Sequence, residues 1–479
     1  MKSTKYLLVG GGLASARAIE AIRSLDRRGH IVLVTDEPHL PYDRPPLSKE
    51  LISGKLRPQD IRCHSPFFYI KHRVKVVRST KVESIETGGG PRTAIIVTSR
   101  KTTRRKDRAA DGLYAADRRR RVRKLQFEKC LIATGGAARF LPLPGADLSG
   151  VFTLRSVDDA MSIRDAALAA IAAPGGSASG GRARAVVVGA GFIGLELAAS
   201  LRTIGLEVTV IEQAPQVWPL VADQRVARHM QAVEEEHGVE FLLGERVAEI
   251  RVRSEPLTGG SHRPRAGSVA TVTGSVIECD LVCIAAGIEP NTAVALMSGL
   301  HVTDRKDAGD EGAAGGIVVD STLKAELADG SPAEGIYAAG DVANVPDPWF
   351  GVRRRVEHYG QAEYTGLLAG TNMAGGNRTY DFLTYLWTDL FDVHIEGAGY
   401  LRQSDSVLLR GDPATGSFIA LHVSQGQLIG FMAINRQERE FGPLRMLIQR
   451  KTDLSDHIAE LQDPEFDTAG LIDQTTEKR

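Results

Sequence analysis

Two stretches of the chain share one hydrophobic grammar. In the first, the apolar run Tyr6-Leu-Leu-Val ends in Gly10-Gly-Gly12, passes through a segment of helical period, and resumes as Ile31-Val-Leu-Val shortly before Asp36. In the second, Ala185-Val-Val-Val ends in Gly189-Ala-Gly191, passes through another helical segment, and resumes as Val208-Thr-Val-Ile before Glu212. Continuous β-branched runs without polar alternation suit parallel strands buried on both faces. Strand, tight turn, helix, strand and acid together make the βαβ unit that binds a dinucleotide. The pattern predicts it twice.

Elsewhere the periodicity changes. From about residue 380 short alternating strands are predicted, including 418–423 and 428–434, with a helical segment near 444–448, as expected of an α+β domain without a glycine fingerprint. The Gly- and Ser-rich residues 174–184 read as a lead-in to the second unit, and residues 254–268 and 304–316 as polar loops between strands. Residues 100–124 are strongly basic and lie between two strand-like runs, 93–99 and 125–133. The predicted fold class is α/β, with two Rossmann-like domains and a C-terminal α+β domain.

Composition adds mainly exclusions. A length of 479 residues suggests about three domains. The formal net charge of zero gives no electrostatic case for nucleic acid or a membrane surface. No apolar run approaches the roughly 20 residues that span a bilayer. The basic start Met1-Lys-Ser-Thr-Lys lacks a small-residue cleavage site before the first strand, so a cytoplasmic location is expected. Cys63, Cys130, Cys279 and Cys283 form no Cys-x-x-Cys pair and fit no zinc or iron–sulfur spacing, so no metal is expected and all four read as structural.

The glycines carry chemistry because of where they stand. Gly10 and Gly189 permit the tight turn. Gly12 and Gly191 let the backbone approach a pyrophosphate at a helix N-terminus, where free N–H groups and the helix dipole favour an anion. The third fingerprint position is Ser15 in the first unit and Gly194, after Ile193, in the second; a small residue there allows close helix–strand packing. Asp36 and Glu212 are placed to accept hydrogen bonds from a ribose 2′-hydroxyl. A 2′-phosphate beside Glu212 would meet like-charge repulsion of about 1–4 kcal/mol. Gln213 and Ala214 offer no compensating arginine, so NADH is expected in preference to NADPH.

Further motifs carry a family resemblance. Leu40-Pro-Tyr-Asp-Arg-Pro-Pro-Leu-Ser-Lys-Glu-Leu follows the first unit, Ile132-Ala-Thr-Gly-Gly precedes the second, and Gly335-Ile-Tyr-Ala-Ala-Gly-Asp341 follows it. Val356-Glu-His-Tyr and Leu386-Trp-Thr-Asp complete the set in order. The chain resembles the FAD-dependent pyridine nucleotide-disulfide oxidoreductases of the ferredoxin reductase type, which include reductases of bacterial oxygenase systems and apoptosis-inducing factor. That resemblance implies a discontinuous FAD domain (1–152 and 294–378), an NAD domain (153–293) and a C-terminal domain (379–479). It implies that Gly10, Gly12, Ala14, Ser15, Asp36, Arg44, Val82, Ala133, Thr134, Gly135, Arg139, Gly340 and Asp341 line a tight FAD site. It also implies that Lys49 sits beside flavin N5, paired with Glu196, so that a cation there stabilises the reduced flavin. Glu357, His358, Tyr359 and Trp387 would approach the flavin ring, while Ala286, Gly287 and the following Glu-Pro-Asn close over NADH. Without the resemblance, Lys49 and Glu196 read as surface charges and Trp387 as a core aromatic.

The expected chemistry is hydride transfer from NADH to the flavin, with the protein supplying position and electrostatics. Disulfide- and peroxide-reducing relatives place a thiol near the flavin. The corresponding stretch here, Tyr42-Asp-Arg-Pro-Pro-Leu-Ser, has none. Electrons are therefore expected to leave one at a time to a carrier such as a [2Fe–2S] ferredoxin. Rubredoxin, quinone or oxygen as acceptor, or a redox switch like apoptosis-inducing factor, are the alternatives. The resemblance also admits a homodimer. The basic run 118–124 would suit an acidic carrier, but it reads first as a solvated surface loop.

Overall fold

The computed structural model describes residues 3–86, 92–101, 118–173, 182–253, 264–303, 315–402 and 404–472. Its backbone divides into two compact units. The first comprises Met1–Asp43, Arg62–Gly136 and Pro290–Phe382; the second comprises Arg44–Ile61, Ala137–Glu289 and Leu383–Arg479.

The first unit is built on an eight-stranded sheet. The strand Ser3–Val9 lies at its centre, parallel to Ile31–Val34 on one side and to Arg118–Ile132 on the other. Beyond these lie Val74–Val77 and Pro332–Ala338, both also parallel to their neighbours. Four of the seven residues of the central strand are consecutively buried, as a two-faced parallel strand requires. The helices Leu13–Leu25 and Tyr359–Met373 pack closely on each other. The reason is small residues: a Cβ on Gly366 would lie 2.7 Å from the Ala14 Cα, and one on Gly370 would lie 2.7 Å from the Ala18 Cα.

The basic segment departs from its loop reading. Arg118 opens a strand that pairs antiparallel with Thr93–Lys101 in unbroken register from Thr93↔Gln126 to Lys101↔Arg118. An antiparallel ladder is held by backbone groups, so a strand can extend through a run whose side chains carry no apolar alternation. Residues 102–117 of the predicted loop lie outside the described residues. The loop predicted over 254–268 is likewise shorter at its end, because the strand Ala266–Thr271 begins inside it and pairs with Val247–Val252.

The second unit holds a five-stranded parallel sheet in the order Val239–Leu243, Glu207–Glu212, Arg184–Val188, Leu281–Ile284, Val151–Thr153. The helix Val157–Ala172 is fixed at its start by a reciprocal cap, in which Ser156 Oγ accepts from the Asp159 N–H and the Asp159 carboxylate accepts from the Ser156 N–H. The same unit contains a five-stranded antiparallel sheet, ordered Tyr385–Leu390, Val393–Gly399, Gln427–Ile434, Ser417–Ser424, Ser406–Asp412, and the helix Phe441–Arg450. This is the α+β pattern expected beyond residue 380. No helix among the described residues is long and apolar enough to cross a membrane.

Candidate functional site

Each unit presents a glycine cradle at the end of a central strand. In the first, Gly10 has φ +110°, and an added Cβ would collide with the Ala133 carbonyl. Gly12 caps the helix Leu13–Leu25, no side chain among the described residues caps its first turn, and a Cβ at Gly12 would meet nothing within 4 Å. In the second, Gly189 has φ +107° and would press a Cβ to 2.5 Å from the Ala285 carbonyl. Gly191 caps Phe192–Thr203 with the same open space and the same lack of a side-chain cap. Uncapped N–H groups opening onto a clear approach are what a pyrophosphate needs, so both cradles fit a dinucleotide.

The two cradles differ at the third fingerprint position. A Cβ on Gly194 would run into the Gly189 carbonyl. The first unit tolerates a side chain there, and Ser15, fully buried, donates its hydroxyl to the Gly10 carbonyl at 2.6 Å. Ala14 abuts Gly366, and Val82 is buried in the hydrophobic core.

The acids differ as well. Asp36 is exposed, with no hydrogen bond or ion pair among the described residues, while its neighbour Glu37 accepts the Tyr42 hydroxyl at 2.5 Å. Glu212 is buried, and its two oxygens accept from the Ala190 and Ala214 N–H groups at 2.8 Å each. Its carboxylate is therefore oriented by the turn it serves.

Around the first cradle, Ala133 donates its N–H to the Val9 carbonyl at 2.8 Å. Thr134 and Asn291 exchange hydrogen bonds at 2.8 and 3.0 Å, and the Asn291 N–H bonds to the Gly135 carbonyl. Gly340, at φ +73°, donates to Thr365 Oγ1 at 3.0 Å, which fixes the turn that carries Asp341. Arg355 pairs with Glu357 and also reaches the Asp341 carbonyl at 3.3 Å. His358 caps Tyr359–Met373. Burial pushes His358 down to about 4, against the opposing pull of Asp341, so its imidazole is neutral at physiological pH. Burial raises Tyr359 to about 12. Gly10, Gly12, Ala14, Ser15, Asp36, Val82, Ala133, Thr134, Gly135, Gly340, Asp341, Glu357, His358 and Tyr359 all belong to the first unit.

Arg44, Lys49, Arg139 and Trp387 belong to the second unit, with Gly189, Gly191, Ile193, Gly194, Glu196, Glu212, Ala286 and Gly287. Arg44 donates to the Arg155 carbonyl, and the Arg139 N–H bonds to the Gly287 carbonyl at 2.9 Å. Trp387 is half-buried, stacked with Tyr385 at 5.8 Å between ring centroids.

The Lys49–Glu196 pair is formed, with Nζ 3.5 Å from Glu196 Oε1. Three further side chains define it. Ser48 donates to Glu196 Oε2, Thr388 donates to Glu196 Oε1 at 2.6 Å, and Ser200 donates to the Ser48 carbonyl at 2.7 Å. Glu196 is buried, and the Ser48 and Thr388 hydroxyls compensate its loss of hydration, with Ser200 holding Ser48 in place. Asp389 Oδ2 approaches Lys49 Nζ from another side at 4.0 Å. Ser48, Thr388 and Asp389 stand inside or beside motifs quoted above, but nothing local in the sequence says which atoms they meet.

The thiols are withdrawn. Cys130, Cys279 and Cys283 are buried, and burial pushes each thiol well up. Cys63 is also pushed up, by burial and then by Asp43, to which its sulfur donates at 3.6 Å.

Two glycine cradles, each open to a pyrophosphate, fit an oxidoreductase that works with two dinucleotides, a flavin and a nicotinamide cofactor. The chain belongs to the pyridine nucleotide-disulphide oxidoreductase family, whose model matches residues 4–366, and carries the reductase C-terminal domain over 385–472. It is 30% identical to a Castellaniella defragrans protein named probable ferredoxin reductase CtmF, with 98% of each chain covered. It is 28% identical to the rubredoxin-NAD(+) reductase of Pseudomonas putida, over 91% of this chain and 96% of that one. Among solved structures it is similar to the ferredoxin reductase for the CYP199A2 system from Rhodopseudomonas palustris, with a TM-score of 0.78, 27% identity, and 98% and 99% of the two chains covered.

Proposed function

We propose that this chain is an NADH reductase that holds FAD tightly in its first unit and delivers electrons singly to a [2Fe–2S] ferredoxin. The observation that carries the acceptor class is the state of the cysteines: all four are free thiols held protonated by burial, so none is poised as a relay. Relatives named for ferredoxin and for rubredoxin support a small iron carrier as the partner.

FAD, when bound, supplies two-electron acceptance and one-electron release. The residues do the rest. Gly12 and the first turn of Leu13–Leu25 receive a pyrophosphate, and Asp36 accepts from a ribose. Asp341 orients the middle of the cofactor, and a neutral His358 lines its site without adding charge. In the second unit Gly191 and Glu212 would bind NADH, with Glu212 held by two backbone donors so that it offers its remaining lone pairs to the ribose 2′-hydroxyl. Lys49, held by Glu196, would supply a cation to the flavin and so favour its accepting electrons. Ala286 and Gly287 are assigned to NADH, and Arg44, Arg139 and Trp387 to the flavin, on the family resemblance. A cytoplasmic location and release of NAD(+) after each turnover fit this role.

The test is anaerobic reduction of the purified yellow protein by NADH, followed by mixing with an oxidised ferredoxin. Bleaching of the flavin, then its return with stoichiometric ferredoxin reduction, is the expected result. Return with rubredoxin alone would replace ferredoxin as the partner. A protein that neither carries nor takes up FAD would remove the reading altogether.

A further inference from the structure

Lys49 is not held by Glu196 alone. Its Nζ lies 3.5 Å from Glu196 and 4.0 Å from Asp389 Oδ2, so the cation stands between two carboxylates. Asp389 is itself shared, because its Oδ1 lies 2.6 Å from His394 Nδ1. The other ring nitrogen, Nε2, lies 3.2 Å from Glu396 Oε1, and Arg445 stands 3.7 Å from Glu396 Oε2. The result is a run of alternating charge: Glu196, Lys49, Asp389, His394, Glu396, Arg445. Antiparallel register sets its centre, since Asp389 faces His394 directly across Tyr385–Leu390 and Val393–Gly399.

We propose that His394 is a positioning residue that, through Asp389, decides how firmly Lys49 is held against Glu196. With His394 protonated, Asp389 is neutralised from its own sheet and Lys49 stays with Glu196. With His394 neutral, a single ring N–H is left for Asp389 and Glu396, Asp389 no longer faces a positive charge, and it draws Lys49 toward itself. No atom need move further than a lysine rotamer allows.

The surroundings support a protonated imidazole at moderate pH. Partial burial works against the charge, but hydrogen bonds to Asp389 and then Glu396 outweigh it, and the His394 pKa is raised above its ordinary value. The titratable groups facing the ring are Asp389 from the neighbouring strand and Glu396 from its own, with Lys49 and Arg445 behind them. Asn435, at the end of the next strand, accepts from the His394 backbone N–H at 2.9 Å and is neutral. Several coupled charges in one run can achieve what an isolated surface pair cannot.

The consequence for turnover rests on Lys49 serving the flavin as proposed above, so the test has two arms. In the first, imidazole C–H resonances are followed by NMR against pH, and the His394 signal is recognised by its loss in His394→Gln. It should titrate above 6.5 in the native protein and shift downward in both Asp389→Asn and Glu396→Gln. In the second, flavin bleaching by NADH is timed anaerobically across the same range. The rate should fall several-fold as His394 loses its proton, and the break should vanish in His394→Gln and Asp389→Asn. A His394 signal titrating at or below 6.5, or a rate break that persists in His394→Gln, overturns the inference. Failure of NADH to bleach the flavin at any pH would instead overturn the functional reading, and the NMR arm would still decide the His394–Asp389 link.

Discussion

The two glycine cradles are copies in outline and opposites in construction. In the second, fit is obtained by subtraction: Gly194 has no room for a Cβ against the Gly189 carbonyl, and Glu212 is buried and clamped by two backbone donors. In the first, the third position carries Ser15, whose hydroxyl ties the helix to Gly10, and the acid, Asp36, stands exposed. The first cradle is braced by the Ser15 hydroxyl and by a neighbouring helix, and the second by a glycine contact and by the carboxylate of Glu212. A fingerprint written as small residues at fixed spacing conceals this difference.

Substitutions at the equivalent position should break the symmetry most sharply. Gly194→Ser forces an atom into the Gly189 carbonyl and should cost about 3 kcal/mol or more, with loss of NADH-dependent bleaching while bound flavin remains visible in the absorption spectrum. Glu212→Ala strands the Ala190 and Ala214 N–H groups and removes the ribose acceptor. It should weaken NADH binding by roughly 2–4 kcal/mol in a titration, whereas Asp36→Ala should weaken flavin retention by only about 1 kcal/mol.

The second unit also carries a pH liability. Glu234 is fully buried in Gln224–Glu236, its oxygens have no hydrogen-bond partner among the described residues, and burial pushes it up to about 8. The folded state therefore binds a proton that the unfolded chain releases near 4.5, so this group's contribution becomes less favourable as pH rises from about 4.5 toward 8. Glu234→Met should flatten that dependence and raise stability at pH 8 by roughly 2–4 kcal/mol, read from denaturation midpoints at several pH values. Smallest of all, Ser15→Ala removes one hydroxyl bond without a steric change and should cost about 1 kcal/mol. An equal loss at Ser15 and Gly194 would erase the distinction between the cradles.

Both cradles were legible because everything that makes them is local: strand, turn glycines, helix start and acid follow one another in the chain. The Lys49 site was legible only as a family pattern. The groups that fix Glu196 come from Ser48 and Thr388, 148 and 192 positions away, and periodicity carries no information about such meetings. His394 gave no sign at all, since its role depends on cross-strand register with Asp389. The basic strand beginning at Arg118 was concealed for a different reason. Its pairing is made by backbone groups, and a chain of arginines shows no apolar alternation by which a strand is normally read.

The close seam between Leu13–Leu25 and Tyr359–Met373 bears on how long the first unit keeps what it binds. With Gly366 and Gly370 lying directly on Ala14 and Ala18, the first turn beside the cradle is wedged against a second helix and has little freedom to fray. Escape of a cofactor from that turn would require the seam to loosen. The residence time of the flavin should thus be governed by two glycines that need not touch it.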